Sequence, residues 1–146
     1  MGDGVHAALS ASKLAQAGTH ADEAARLIKA LAEGGTRGTL SKGATVSLGH
    51  LRPWQGVAGY MDWAKASGAA YLQVDQVAYE TLVKAGKWWD VNKQFLDNAA
   101  DVGAKFHLQF ENAQWASDFQ REMDYLINDR GYLKKFINGE WWLVAP

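Results

Sequence analysis

The chain has 146 residues, of which 48% are apolar and 21% charged, a composition that favours one globular domain over a disordered segment. It contains no cysteine, which excludes disulfides, thiolate zinc sites and cysteine nucleophiles. The net charge of −1 provides no global basic field for coating nucleic acid, although a ribonuclease needs only a local cationic cleft.

The first forty residues predict a helical extension. Residues 3–17 are alanine-rich and weakly amphipathic, and Gly18 is expected to end that helix. Thr19 is placed as the N-cap of a second helix. The apolar stripe of this second helix consists of Ala24, Leu27, Ile28 and Leu31. We therefore divide the chain into a helical extension, residues 1–40, and a main domain, residues 41–146.

Strands and helices then alternate along the chain. We predict strands over residues 44–48 and 69–74, and helices over residues 57–66 and after Asp75, which caps its helix. The apolar residues of the helix after Asp75 are Val77, Leu82 and Val83. A central helix begins near Lys87, and its apolar side consists of Trp88, Val91, Phe95 and Ala99. Such alternation favours crossover connections between strands.

The stretch from Ala104 to Glu111 alternates between apolar and polar residues, as in a strand with one buried face and one wet face. The face predicted to be buried has Ala104, Phe106, Leu108 and Phe110. The face predicted to be wet has Lys105, His107, Gln109 and Glu111. A strand covered on both faces would be apolar throughout, so we expect the second face to be partly open.

The C-terminal part predicts a helix and a β-hairpin. One helix face before Gly131 is formed by Trp115, Phe119, Met123 and Leu126. Asn138-Gly139 lies between two apolar runs and is the strongest short hairpin signal in the chain. The predicted fold is therefore α/β (mixed α+β): a small mixed sheet with crossover helices, a C-terminal β-hairpin and an N-terminal helical extension.

His107 lies between Lys105 and Gln109 on the predicted wet face and is the leading candidate for catalysis. RNA cleavage by 2′-hydroxyl attack needs a base, an acid and a cationic or amide donor to the phosphorane, and imidazole suits neutral pH. We therefore assign His107 and Gln109 to catalysis and Lys105 to substrate binding. The simpler alternative is a solvated sheet face with an ordinary histidine.

Two further groups are candidates. His50 and Arg52 directly follow a predicted strand, where ligand sites collect in open sheets, and Arg52 could clamp a phosphate; we count both as catalytic candidates beside a plain loop alternative. Trp89 and Asn92 on the central helix are candidate substrate-binding residues, although a buried structural amide is the simpler interpretation of Asn92. The sequence has no HxH, HExxH or calcium-loop motif, so we predict no metal and no cofactor.

A spaced pattern extends over residues 46–146. It comprises Leu48-Gly49, Tyr60-x-x-x-Ala64, Ala70-Tyr71, Trp89-x-x-Asn92-x-x-Phe95-Leu96-Asp97, Gly103, Glu122-x-x-Tyr125-Leu126 and Gly131-Tyr132. This pattern resembles the C-terminal toxin domains of bacterial polymorphic toxins, which contact-dependent inhibition, Rhs and wall-associated proteins contain. Gln109 departs from the pattern, because a small residue such as serine is expected at that strand end. The resemblance implies a nuclease, often one acting on tRNA, and a cognate immunity protein.

On this resemblance we expect an antibacterial effector that cleaves tRNA as a metal-independent ribonuclease. It would be secreted or delivered at the cell surface as part of a larger protein and act in the target-cell cytoplasm. No apolar run is long enough to span a membrane, and the first residues lack a signal-peptide pattern, so any export signal is expected elsewhere. Two alternatives stay open: a toxin that consumes NAD or another nucleotide through His50 and Arg52, and a non-catalytic interaction domain.

Overall fold

The structure is a computed structural model that describes residues 2–16, 21–49, 57–112 and 117–146. Its helices are α1 (Gly2–Gln16), α2 (Ala21–Gly35), α3 (Tyr60–Ser67), α4 (Gln76–Lys84), α5 (Trp88–Asp101) and α6 (Ser117–Asn128). Its strands are β1 (Thr36–Arg37), β2 (Thr45–Leu48), β3 (Tyr71–Leu72), β4 (Lys105–Leu108), β5 (Leu133–Ile137) and β6 (Glu140–Val144). The predicted mixed α/β class is confirmed.

The chain forms two compact units, Met1–Arg37 with Leu72–Phe95, and Gly38–Tyr71 with Leu96–Pro146. In the first unit, α1 packs against α2 and α4. The apolar core of this unit includes Ala11, Leu14, Leu31, Ala78, Leu82 and Val91. The assignment of separate roles to residues 1–40 and 41–146 stays a prediction.

Helix α4 begins at the predicted cap. The Asp75 carboxylate accepts hydrogen bonds from the backbone N–H groups of Val77 (3.1 Å) and Ala78 (3.4 Å). The predicted apolar stripe is wrong in part, because Leu82 is buried whereas Val77 and Val83 are 59% and 49% exposed. The small Ala78 takes the inward position, since residues four apart share one helix face and Ala78 precedes Leu82 by four.

A four-stranded sheet organises the second unit, in the order β2-β4-β6-β5. Strand β4 is parallel to β2 and antiparallel to β6, and β6 is antiparallel to β5. The register aligns Val46 with Phe106 and Phe106 with Leu143. The predicted mixed sheet is therefore confirmed, with the strand that contains His107 at its interior.

Because successive side chains of a strand point to opposite faces, the register defines two faces of this sheet. We call core face the one formed by Val46, Leu48, Phe106, Leu108 and Leu143, which are at most 3% exposed. We call His107 face the one formed by Ser47, Lys105, His107, Glu140 and Trp142. On the core face, the ring of Tyr132 lies edge-on to Phe106 at 5.2 Å between centroids.

The predicted C-terminal hairpin is confirmed. Asn138 and Gly139 join β5 to β6 with φ values of 51° and 81°, so both central residues have the positive φ of a type I′ turn. Strand β5 lies at the edge of the sheet, where Leu133, Phe136 and Ile137 are exposed.

The His107 face is partly open, at Lys105 and Glu140, but the prediction that His107 and Gln109 are wet is wrong. His107 and Gln109 are only 5% and 7% exposed, whereas Lys105 is exposed. Helix α3 approaches this side of the sheet, because the Ser47 hydroxyl donates a hydrogen bond to the backbone oxygen of Tyr60 at 2.6 Å. The alternation along one strand cannot reveal a cover supplied by a helix distant in sequence.

Element boundaries differ from the prediction in two places. Helix α3 begins at Tyr60 rather than at residue 57, and it ends at Ser67, where Gly68 with a φ of 79° is the C-cap. The strand predicted over residues 69–74 shortens to β3. Gly18, Thr19 and Trp115 lie outside the described residues. Among the described helices, none is both long and apolar enough to cross a membrane.

Candidate active site

The imidazole of His107 lies between two indole rings. Trp63 of α3 stacks on it with parallel planes and 3.6 Å between centroids. Trp142, its partner across the β4–β6 register, meets it edge-on at 5.1 Å and 76°. These rings explain how a polar side chain on an interior strand is covered without an apolar neighbour on its own strand.

The second contact of His107 is with Glu140 at the start of β6. The distance between His107 Nε2 and Glu140 Oε1 is 3.2 Å, and the two side chains are 6% and 45% exposed. In the neutral tautomer that fits this contact, Nε2–H donates to the carboxylate and Nδ1 is an acceptor. Nδ1 is buried and has no hydrogen-bond partner among the described residues.

The pKa of His107 lies below its ordinary value. Burial lowers the pKa, and the charge and hydrogen bond of Glu140 oppose that shift without reversing it. The imidazole is therefore neutral at pH 7, and the side chain of its partner Glu140 reaches solvent.

Lys105 provides a cation beside this pair. It is exposed at the start of β4, two residues before His107 on the same face of the sheet. Its Nζ lies 5.2 Å from the centroid of the Trp142 ring, within the range of a cation–π contact. The His107 face thus has the carboxylate of Glu140 at His107 and the cation of Lys105 at Trp142, the cross-strand neighbour of His107.

Gln109 donates hydrogen bonds to the backbone of two other segments of the chain. Its Nε2 donates a hydrogen bond to the backbone oxygen of Ala58 at 3.1 Å, and its backbone N–H donates to the oxygen of Leu48 at 3.1 Å. A Cβ added to Gly49 would lie 2.5 Å from the Cβ of Gln109. The side chain of Gln109 thus packs closely against Gly49, just after β2. These contacts are structural and do not by themselves support the predicted catalytic role of Gln109.

The other predicted site residues lie elsewhere. Trp89 and Asn92 belong to the first unit, where Asn92 is 3% exposed, in agreement with the structural interpretation of its amide. His50 and Arg52 lie outside the described residues. The structure therefore brings together His107 and Lys105 from the predicted set.

Three residues of the site were missed by sequence reasoning: Glu140, Trp63 and Trp142. The sequence contains a signal for two of them. Glu140 and Trp142 are two residues apart in the strand after the Asn-Gly turn, so they lie on the same face. Only the pairing of β6 with β4 reveals that this face is that of His107. Nothing in the local pattern of α3 distinguishes Trp63 from an ordinary core residue.

Several residues of the resemblance pattern form a separate cluster in the second unit. The Tyr125 hydroxyl donates to Asp97 Oδ1 at 2.5 Å, and Arg130 contacts Asp97 at 3.3 Å and Asp101 at 2.7 Å. Burial, then the hydrogen bond to Asp97, raises the pKa of Tyr125 to about 12. The Tyr132 hydroxyl donates to the backbone oxygen of Ala104 at 2.6 Å. These contacts connect α6 and the residues after it to α5 and to Ala104, the residue before β4.

Within the described ranges, no group of three or more histidine, aspartate or glutamate side chains is arranged to hold a metal ion. Comparisons with protein-family models, with curated proteins and with solved structures found no match to this chain. The resemblance to toxin domains therefore rests on the spaced pattern in the sequence.

Proposed function

We propose that the chain is an antibacterial toxin domain that cleaves RNA without a metal ion, with tRNA as its substrate. The observation that supports this function best is the Glu140–His107 pair, in which a half-exposed carboxylate is held by a buried neutral imidazole. A carboxylate at such a position is a suitable general base for a 2′-hydroxyl.

The reaction balances with the groups present. Glu140 accepts the proton of the 2′-hydroxyl, the 2′-oxygen attacks phosphorus, and the bond from phosphorus to the 5′-oxygen breaks. The products are a 2′,3′-cyclic phosphate and a 5′-hydroxyl, whose oxygen takes its proton from water. The ammonium group of Lys105 stabilises the negative charge that develops on the phosphorane oxygens.

His107 acts in this mechanism as a positioning residue. Its ring is held by Trp63 and Trp142, and its Nε2–H fixes the direction of the Glu140 carboxylate. A base aligned in advance needs less reorganisation in the transition state. This role replaces direct proton transfer by His107, whose side chain is too buried to meet a phosphate.

The biological setting follows from the resemblance. We propose that the domain is secreted or delivered at the cell surface within a larger protein, acts in the target-cell cytoplasm and is neutralised by an immunity protein. Induced synthesis of the full chain in a bacterial cytoplasm should then arrest growth. Normal growth with soluble, folded chain in the cells would contradict the toxin function.

The enzymatic test uses purified full-length chain and bacterial tRNA. We expect cleavage that EDTA does not abolish, and Glu140→Gln should lower the rate by about 10²–10⁴-fold, the scale of general acid–base catalysis. Glu111→Gln, which changes an exposed carboxylate that follows β4, is the matched control and should retain the rate. Intact tRNA with folded wild-type chain, or full activity of Glu140→Gln, would overturn the proposal.

A second candidate function, a non-catalytic interaction domain, is favoured by β5. Leu133, Phe136 and Ile137 are 53%, 59% and 42% exposed on a five-residue edge strand. Exposed apolar side chains on an edge strand are a common feature of protein-binding surfaces. Growth arrest without cleavage of tRNA and without consumption of NAD would favour this candidate.

A further inference from the structure

A groove of about 580 Å³ lies in the second unit at the start of β2, where Thr45 is aligned with Lys105. Its walls include the two indoles that enclose His107, Trp63 and Trp142. Hydroxyl-bearing residues of its lining are Thr39, Ser41, Thr45 and Ser67. The volume falls within the ~300–1,000 Å³ typical of small-molecule sites. The groove and His107 therefore share two aromatic neighbours, Trp63 and Trp142.

The residues that line this groove are suited to bind a ligand with a planar, polar ring attached to an anion. The two indoles are half-buried, so each has surface in contact with solvent. No residue among those described in the lining has a charged side chain, so no carboxylate there would repel a phosphate. Lys105, 5.2 Å from the ring centroid of Trp142, places a cation at the same wall.

We propose that this groove binds a nucleobase of single-stranded RNA, with the adjoining phosphate at Lys105. The inference rests on the proposed ribonuclease function and adds a binding subsite to it. Aromatic side chains bind single strands by stacking on exposed bases, and hydroxyl groups can donate to or accept from base edges. A base within a duplex is already stacked and paired, so the groove selects single-stranded segments.

Two adjacent tryptophans provide a matched test. Trp142 lies on the His107 face, whereas Trp141 aligns with Leu108 and lies on the core face. The probe is a fluorescein-labelled single-stranded oligodeoxynucleotide of eight residues, which lacks the 2′-hydroxyl nucleophile and so reports binding without cleavage. We expect Trp142→Leu to raise its Kd about 10- to 100-fold, the scale of one base–aromatic stack, and Trp141→Leu to leave it within about twofold.

Lys105→Gln gives a second, independent readout. Removal of one phosphate contact should lower the salt dependence of binding, as the slope of log K against log salt, by about 1, whereas Lys134→Gln should not change it. Thermal unfolding of each variant establishes that it is folded. Mononucleotides at millimolar concentration should displace the probe, and a duplex of the same sequence should not.

The possible outcomes distinguish a failure of the groove inference from a failure of the proposed ribonuclease function. If wild type cleaves tRNA but Trp142→Leu binds the probe as wild type does, the groove inference fails and the ribonuclease function stands. If wild type binds the probe through Trp142 and leaves tRNA intact, the ribonuclease function fails and the groove is a nucleotide-binding site. Equal binding of duplex and single strand, or equal effects of Trp141→Leu and Trp142→Leu, also overturns the inference.

Discussion

The two faces of the four-stranded sheet both contain buried side chains, but these are buried by different means. On the core face, Val46, Phe106 and Leu143 are fully buried and have no polar side-chain atoms. On the His107 face, an imidazole is buried beneath Trp63 and Trp142, and its Nδ1 has no hydrogen-bond partner among the residues described. The core face thus contributes stability at any pH, whereas the stability of the His107 face depends on the protonation of one ring.

The largest expected effect is on the core face. Phe106→Ala removes a ring that is 0% exposed and should lower the free energy of unfolding by about 3–5 kcal/mol, through lost burial and the cavity left behind. Chemical denaturation monitored by circular dichroism measures it. Ile137→Ala, which truncates an exposed apolar side chain of β5, is the control and should change stability little. Similar losses for both variants would show that the sheet is not packed as described.

A smaller loss of stability is expected just after β2 and β4, where Gly49 lies close to Gln109. Gly49 has a φ of 151°, and a Cβ there would lie 2.5 Å from the Cβ and 2.7 Å from Oε1 of Gln109. Gly49→Ala should therefore destabilise the chain by about 1–3 kcal/mol, the usual cost of overpacking.

The control for Gly49 is Gly43→Ala. Gly43 also has a positive φ, 73°, but no neighbouring atom of the described residues lies within 4 Å of the added Cβ, so this variant reports the cost of its backbone conformation. The difference in unfolding midpoint between the two variants reports the clash with Gln109 together with the greater backbone cost at φ 151°. Equal midpoints would contradict the close approach of Gly49 and Gln109.

Phe106 and His107 show which features of this sheet can be predicted from the sequence and which cannot. Local rules predicted the Asp75 cap, the Asn138-Gly139 turn and the inward side of β4, because each depends on neighbouring residues or on a strand's period of two. The burial of His107 was missed because Trp63, on a distant helix, supplies the cover. The pairing with Glu140 was missed because it depends on the register of β6 with β4.

Tyr132 brings a polar side chain against the ring of Phe106. Its hydroxyl donates a 2.6 Å hydrogen bond to the backbone oxygen of Ala104, so this buried polar atom is satisfied, unlike Nδ1 of His107. Tyr132→Phe should cost about 1 kcal/mol, the typical net contribution of a hydrogen bond. A stability unchanged by Tyr132→Phe would argue against the bond to Ala104.

The smallest and most specific effect concerns acidification. Burial lowers the pKa of His107 in the folded chain from its ordinary value of 6.5, so between these two pKa values the unfolded chain binds one more proton than the folded chain. Stability therefore rises with pH through this window, is complete above pH 6.5, and is lost as the pH falls. His107→Gln removes the titrating ring and should flatten this part of the stability curve, measured as the unfolding midpoint from pH 7 to pH 5. Glu140→Gln should steepen the contribution of His107, because the carboxylate opposes the lowering of its pKa. If His107→Gln leaves the slope of the curve unchanged, the imidazole is not buried in its neutral form, and the two faces of the sheet do not differ in the way described.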